Sequence, residues 1–385
     1  MRNANIHAGP SGKPRVALVL QGGGALGAYH AGVYQALHEN GLTPDWVVGT
    51  SIGAINAALI AGNDPDRCIA RLEQFWDEVG QRDLLDLRRV PDTVRRFHSW
   101  LTALNCTFNG VAGFYAPRWF SPFFIGLPVA AEQASLYDMT PLAGTLAQLV
   151  DLDYLNSSAA MRLTVSAVHL SCGRLENFDT RQQRVGIEHI MASGALPPGF
   201  PPVRVDGDLY WDGGLYSNTP LETVLADEPR TDTLCFMVDL WSGDGPEPHT
   251  FDEVLTRQKD VVYASRSQRH IDAYLRGHKL RRMIRTLRAK LPADALSEAE
   301  RRELDALDAD TTIQIVRLAY AGRDWLMASK DVNFSRGSIR WRWEQGYRDA
   351  RRAIVVGAWR DGVPEGTGLI VHEVKSDGRE SFCTQ

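Results

Sequence analysis

The chain has 385 residues, 44% hydrophobic and 23% charged, a globular composition with room for a sizeable core. Its 42 basic and 47 acidic side chains sum to −5, which argues against nucleic acid as the main partner. The five cysteines (Cys68, Cys106, Cys172, Cys235 and Cys383) are odd in number and scattered, so neither a disulfide framework nor a zinc site is expected and the compartment reads as reducing.

No apolar run reaches the roughly 18 residues needed to span a bilayer. Residues 1–14 are polar, and the apolar run behind them, 16–20, is too short for a secretory signal. A cytoplasmic protein is expected, with peripheral contact at the inner face of a membrane left open.

Residues 15–20, RVALVL, form a continuous apolar run bounded by Pro14 and Gly22, the pattern of a buried parallel strand. After a glycine-rich turn, 28–39 reads as a helix stopped by Gly41, 45–49 as a second strand, and 52–61 and 65–79 as two more helices. Strand, helix, strand, helix with short loops means a parallel sheet with helices on its faces. Residues 81–140 break this pattern. Phe97, Trp100, Phe108, Phe114, Tyr115, Trp119, Phe120, Phe123 and Phe124 place nine aromatics in 28 positions, and Pro117, Pro122 and Pro128 interrupt any period. An insertion on the α/β scaffold is expected there. Strand character returns at 161–170 and 234–241, and a turn-rich connection at 192–202 leads into Leu209-Tyr210-Trp211-Asp212. Residues 251–291 read as long helix, 313–320 as a late strand and 338–358 as a last helix. The one plausible boundary in this pattern falls near 290–310, where Pro292-Ala293-Asp294 and an acidic-basic run interrupt it ahead of a C-terminal unit.

Gly49-Thr50-Ser51-Ile52-Gly53 has the form G-x-S-x-G between a strand and a helix. Such an elbow holds its serine in a strained turn and lifts the hydroxyl to the C-terminal edge of the sheet; the flanking glycines permit the turn. Gly22-x-Gly24-x-x-Gly27 after the first strand also fits a dinucleotide fingerprint, which requires an acid at the end of the second strand. That strand ends in Gly49-Thr50-Ser51, and Asp45 stands at its beginning, so the nucleotide reading fails. The other use of Gly22, Gly23 and Gly24 is an oxyanion hole, with backbone N–H groups aimed at developing negative charge. A nucleophilic serine needs a base. None of the ten histidines stands in a motif; His30, His38, His189 and His278 fall within expected helices. Asp212, followed by Gly213 and Gly214 on a tight turn, is the better candidate, although D-G-G alone reads as an ordinary Asx turn.

Taken together, these motifs resemble those of the patatin-like phospholipase family. Residues 21–32, QGGGALGAYHAG, resemble its oxyanion loop, Gly49 to Gly53 its nucleophile elbow and Asp212-Gly213-Gly214 its base motif. Residues 192–202 and Asn218-Thr219-Pro220-Leu221 are similar to the segments flanking that base. The resemblance spans about residues 14–241 and implies an α/β catalytic unit there, carrying the insertion at about 81–140, with a helical and mixed extension over 242–385 packed on it. It implies a three-layer α/β/α fold with a mostly parallel central sheet. It also implies a Ser51–Asp212 dyad that cleaves acyl esters of lipids through an acyl-enzyme, without metal or cofactor, with Gly27, Gly49, Gly53, Gly213 and Gly214 supporting the motifs. Residues 333–350 are similar to a C-terminal extension found on some bacterial members. The aromatic insertion departs from the family pattern and is expected to line or cover the acyl-chain pocket.

Two other readings compete. A conventional α/β-hydrolase would use a late histidine, His249 being the most loop-like, but would place its elbow after more strands than precede Ser51. A non-catalytic membrane- or partner-binding module on the same scaffold is opposed by the intact Ser51, Asp212 and glycine loop. Residues 266–290 carry nine Lys/Arg and one acid, Asp272, with Leu280, Ile284, Leu287 and Leu291 at helical spacing. A solvated basic face is the plainer reading of this stretch, and docking on anionic lipid headgroups the sharper one.

Overall fold

The computed structural model describes residues 14–82, 92–264, 266–292, 296–306, 311–321, 328–364, 367–374 and 380–383. The polar residues 1–13, the 83–91 part of the insertion and the side chains of Phe97 and Phe124 lie outside the described residues.

In chain order the strands are β1 (Arg15–Leu20), β2 (Trp46–Gly49), β3 (Ala116–Pro117), β4 (Tyr137–Asp138), β5 (Arg162–His169), β6 (Leu175–Asp179), β7 (Val203–Val205), β8 (Asp208–Asp212), β9 (Thr233–Asp239), β10 (Ile313–Ala319), β11 (Leu369–Val374) and β12 (Glu380–Cys383). The helices are α1 (Ala28–Glu39), α2 (Ile52–Ala61), α3 (Pro65–Glu78), α4 (Asp92–Asn109), α5 (Thr140–Leu149), α6 (Leu152–Leu155), α7 (Ile187–Ser193), α8 (Leu221–Leu225), α9 (Phe251–Tyr263), α10 (Ser267–Arg288), α11 (Glu298–Ala306) and α12 (Arg336–Val356). Ten strands form one sheet in the order β12-β11-β10-β9-β1-β2-β5-β8-β7, with β6 also on β5; β3 and β4 pair separately. From β11 to β5 every pairing is parallel, and β12, β6, β8 and β7 join antiparallel.

The apolar run at 15–20 forms a central strand because both of its faces are covered. Side chains alternate across a strand, so Leu18 and Leu20 enter the core under α1 and α2, while Ala17 and Val19 enter a second core with Leu221 of α8 and Ile271 of α10. The fold is therefore three-layered, α/β/α. The N-terminal ends of β1 and β5 are tied by a largely buried ion network, Arg15–Asp227–Arg162–Asp179, stacked on Trp46.

Residues beyond 241 add to the same sheet: β10 lies parallel to β9, and β11 parallel to β10. Helix α12 packs backbone to backbone on α1. A Cβ on Gly32 would strike Trp343 O, and one on Gly346 would strike Tyr29 O.

Two elements differ from expectation. Residues 251–291 are two helices, α9 and α10, because Ala264 leaves the helical region (ψ 145°) and the Tyr263 carbonyl is taken by the side-chain amides of Gln21 and Asn218. In the insertion, α4 is an 18-residue helix that buries His98, Thr102, Ala103 and Cys106, small or polar groups that leave little apolar period in the sequence. Phe114 and Tyr115 join the core against Phe75, Phe200, Phe334 and Tyr137, whereas Phe108, Trp119 and Phe120 are exposed.

Candidate active site

Strand β5 brings the elbow and Asp212 to one place. Gly49, the last residue of β2, lies opposite Val165, and Asp212, the last residue of β8, lies opposite Ala167 two residues further along. The β2–α2 turn puts Ser51 at φ 58° and ψ −127°, a left-handed conformation that a β-carbon resists and the surrounding structure must impose. Packing imposes it. The Ser51 N–H donates to both Ser193 Oγ (3.1 Å) and Ser193 O (3.0 Å), and Ser193 Oγ in turn donates to Ser166 O (2.7 Å). Gly53 must lack a side chain, since a Cβ there would strike Leu20 O. Gly49 abuts Gly53 O, Gly27 abuts Ile52, and Gly213 abuts Ser166 O and Thr50, so each of these glycines sits at a close approach between elements of the site.

Asp212 is buried, at 1% exposure. Its Oδ1 accepts the Gly214 N–H at 2.7 Å, while Oδ2 makes no hydrogen bond of ordinary geometry among the described residues. Burial pushes its carboxyl up to about 7, against the opposing pull of the Ser51 hydroxyl and the Gly214 N–H. A carboxylate tuned to neutrality is suited to take a proton at physiological pH.

The glycine loop lies against the serine: a Cβ on Gly22 would come within 3.0 Å of Ser51 Cβ. The three glycines named from sequence are not equivalent. The Gly22 N–H donates to Asn218 O at 3.0 Å. The Gly23 and Gly24 N–H groups make no hydrogen bond among the described residues, and Gly24 opens a single 3₁₀ turn, Gly24–Gly27, leading into α1. Gln21 anchors the loop from behind, its Oε1 accepting from the Leu240 and Trp241 N–H groups.

His249 is exposed, and its N–H donates to Glu253 Oε2 at the start of α9. Among the described residues no hydrogen bond joins a histidine to Ser51 or Asp212. His30 is buried beside Asn56, and burial lowers its pKa to about 3. Sequence reasoning gave no individual role to Ser193, Asn218 and Trp241. The first two lie in segments noted as flanking the base, but their roles depend on partners far away in the chain. Among the described residues, no group of three His, Cys, Asp or Glu side chains is gathered to hold a metal ion, and no helix is long and apolar enough to cross a membrane.

The family model described as "Patatin-like phospholipase" matches residues 18–225, more than half of the chain, and spans the glycine loop, the elbow of Ser51 and Asp212-Gly213-Gly214. The chain belongs to the patatin-like phospholipase family. A second family model, described as "Patatin phospholipase", matches residues 261–366. An uncharacterized NTE family protein of Mycobacterium tuberculosis is 30% identical over 224 residues, 58% of this chain and 30% of that protein. The human patatin-like phospholipase domain-containing protein 6 is 27% identical over 241 residues, 63% of this chain and 14% of that protein. Among curated relatives of this patatin-like chain the aligned part spans from 7% to 30% of their own lengths. The crystal structure of VipD from Legionella pneumophila is similar at a TM-score of 0.39 and 16% identity, covering 92% of this chain and 70% of that one.

Proposed function

We propose that this chain is a serine lipid acyl hydrolase working through a Ser51–Asp212 dyad. The observation that carries the reading is the meeting of Ser51, held at positive φ on its elbow, with a buried carboxyl raised to about 7. Ser51 Oγ attacks the ester carbonyl carbon as Asp212 Oδ2 takes the hydroxyl proton. The carbonyl oxygen becomes an oxyanion facing the Gly23 and Gly24 N–H groups. The tetrahedral intermediate collapses by breaking the bond to the alcohol, which leaves with the proton from Asp212. Water then gives a proton to Asp212 as it attacks the acyl-Ser51 carbonyl carbon, and the second tetrahedral intermediate collapses by breaking the bond to Ser51 Oγ, which takes that proton back from Asp212 as the fatty acid leaves. Burial serves this cycle by making Asp212 a stronger base than a solvated aspartate, whose pKa is about 3.9. Ser51→Ala should lose both ester hydrolysis and covalent labelling by a fluorophosphonate while staying folded. Undiminished hydrolysis in that variant would sink the reading.

We infer in addition that the distal half of α10 rests on an anionic lipid surface. The proximal half is packed, with Ile271, Tyr274 and Leu275 against the sheet. Further on, Leu280 (60% exposed), Met283 (58%) and Leu287 (61%) form an apolar stripe with no cover among the described residues. Residues 266–290 carry nine basic side chains and one acid in a chain whose total is −5, so this face complements anionic headgroups. A second copy of the same face would bring like charges together.

A further inference from the structure

Each of the two unbonded loop N–H groups belongs to a peptide whose carbonyl is gripped from behind, and each chain of contacts ends in a cation from the C-terminal part of the molecule. The Gly23 N–H shares its peptide with Gly22 O, which accepts from Trp241 Nε1 (2.9 Å) and Asn218 Nδ2 (3.2 Å). Lys330 Nζ lies 4.8 Å from the centre of the Trp241 ring and is itself fixed by Asp260 at 2.6 Å. The Gly24 N–H shares its peptide with Gly23 O, which accepts the Leu26 N–H at 3.1 Å. The Leu26 N–H in turn shares its peptide with Ala25 O, which accepts Arg342 Nη1 at 2.9 Å. Arg342 is fully buried, and two further hydrogen bonds, to Asn333 O and Lys330 O (2.9 Å each), tie it to the 3₁₀ turn Lys330–Val332. That turn presses on the loop, for a Cβ on Gly24 would strike Asp331 O.

We propose that Arg342 and the Lys330–Trp241 pair are positioning residues for the oxyanion hole, supplied by the region after β9. The inference rests on the hydrolase reading given above. Two physical effects follow from the geometry. Gripped carbonyls cannot rotate, so the Gly23 and Gly24 N–H groups stay aimed before substrate arrives, and preorganisation of this kind lowers the barrier without reorganisation cost. Hydrogen bonds in series also polarise one another, by about 10–30% per bond in condensed phase. A guanidinium on Ala25 O therefore sharpens Leu26 N–H, then Gly23 O, and so Gly24 N–H; a cation over the Trp241 ring sharpens its indole N–H and so Gly23 N–H. The positive charge acts on the oxyanion through two peptide units on one side and an indole on the other. Neither cation needs to touch the substrate.

The test uses the full chain with a soluble p-nitrophenyl ester. Arg342→Lys keeps the charge and loses the fork, and Trp241→Phe keeps the ring and loses the N–H. Each should lower kcat by about 10- to 100-fold, short of the 10²–10³ of deleting an oxyanion donor outright, with KM within twofold and the melting temperature little changed. In Arg342→Ala, added guanidinium should restore part of kcat. A kcat within twofold of wild type in folded Arg342→Lys and Trp241→Phe overturns the proposal. So does a loss that follows the fall in melting temperature and is not rescued by guanidinium. Where the Arg342 variants fail to fold, Trp241→Phe decides alone. Hydrolysis that survives Ser51→Ala instead overturns the nucleophile assignment, and this inference falls with it.

Discussion

Asp212 takes the Gly214 N–H on Oδ1 at 2.7 Å and keeps Oδ2 buried and, among the described residues, without a hydrogen bond of ordinary geometry. The first contact fixes the plane of the carboxyl, and the second oxygen is left to receive the proton of the Ser51 hydroxyl. With burial pushing this group up to about 7, the catalytic base should be protonated and idle in mild acid. We therefore expect kcat/KM for a soluble ester to rise tenfold per pH unit below about 7 and to level off above it. A profile that stays flat down to pH 5 would remove Asp212 from the role of base.

The same burial makes Asp212 a burden on the fold. Its folded pKa lies above the unfolded value of about 3.9, so the folded state holds the proton more tightly. Stability from this group is complete below about pH 4 and is lost as pH rises toward and through about 7. Asp212→Asn keeps the shape without the charge. It should lower kcat by about 10²–10⁴-fold and yet stabilise the protein at pH 8, by up to about 4 kcal/mol. That gain should vanish near pH 4. Urea melts of the two proteins at both pH values, alongside turnover, check this. His249→Ala should stay within a few-fold of wild-type activity; the reverse pattern would favour a histidine base.

Sedimentation with vesicles tests α10. The wild type should bind vesicles rich in phosphatidylglycerol more strongly than pure phosphatidylcholine ones, and salt should weaken the binding. Leu280→Glu with Leu287→Glu should abolish it while leaving hydrolysis of a soluble ester intact. Equal binding to both vesicle types would assign α10 a merely solvated face.

The aromatic segment divides into rings of opposite consequence. Phe114 packs among Phe75, Tyr115, Phe200 and Phe334, so Phe114→Ala should cost about 3–5 kcal/mol. Trp119 lies tilted against Phe108 with centroids 5.7 Å apart, and Phe120 is exposed. If these outer rings meet the acyl chain, Trp119→Ala with Phe120→Ala should shift the preference among ester chain lengths while the melting temperature changes little. Unchanged selectivity would confine the segment to packing.

Much of this architecture is written locally in the chain. β1, α1, β2 and α2 are legible because their apolar runs are continuous and glycines punctuate them, and the short loops between them leave one handedness of crossover. The end of α9 is not legible, because Tyr263 O is claimed by Gln21 and Asn218, residues 242 and 45 positions away. For the same reason the sequence could not separate Gly22 from Gly23 and Gly24. Only the fold brings Asn218 O onto the Gly22 N–H. The grip of Arg342 on Ala25 O spans 317 positions and leaves no local trace in either segment.

The parallel pairing of β10 with β9 has a consequence for anyone trimming this molecule. All seven residues of β9 are buried, and Thr233 to Asp239 are in register with Ile313 to Ala319. A chain cut after Trp241 would keep every residue of the G-x-S-x-G and D-G-G motifs. It would also leave a seven-residue ladder of unpaired N–H and C=O groups at the new sheet edge, a template for strand addition between molecules. Such a fragment should collect in inclusion bodies and defeat attempts at refolding, and its insolubility would say nothing about its chemistry.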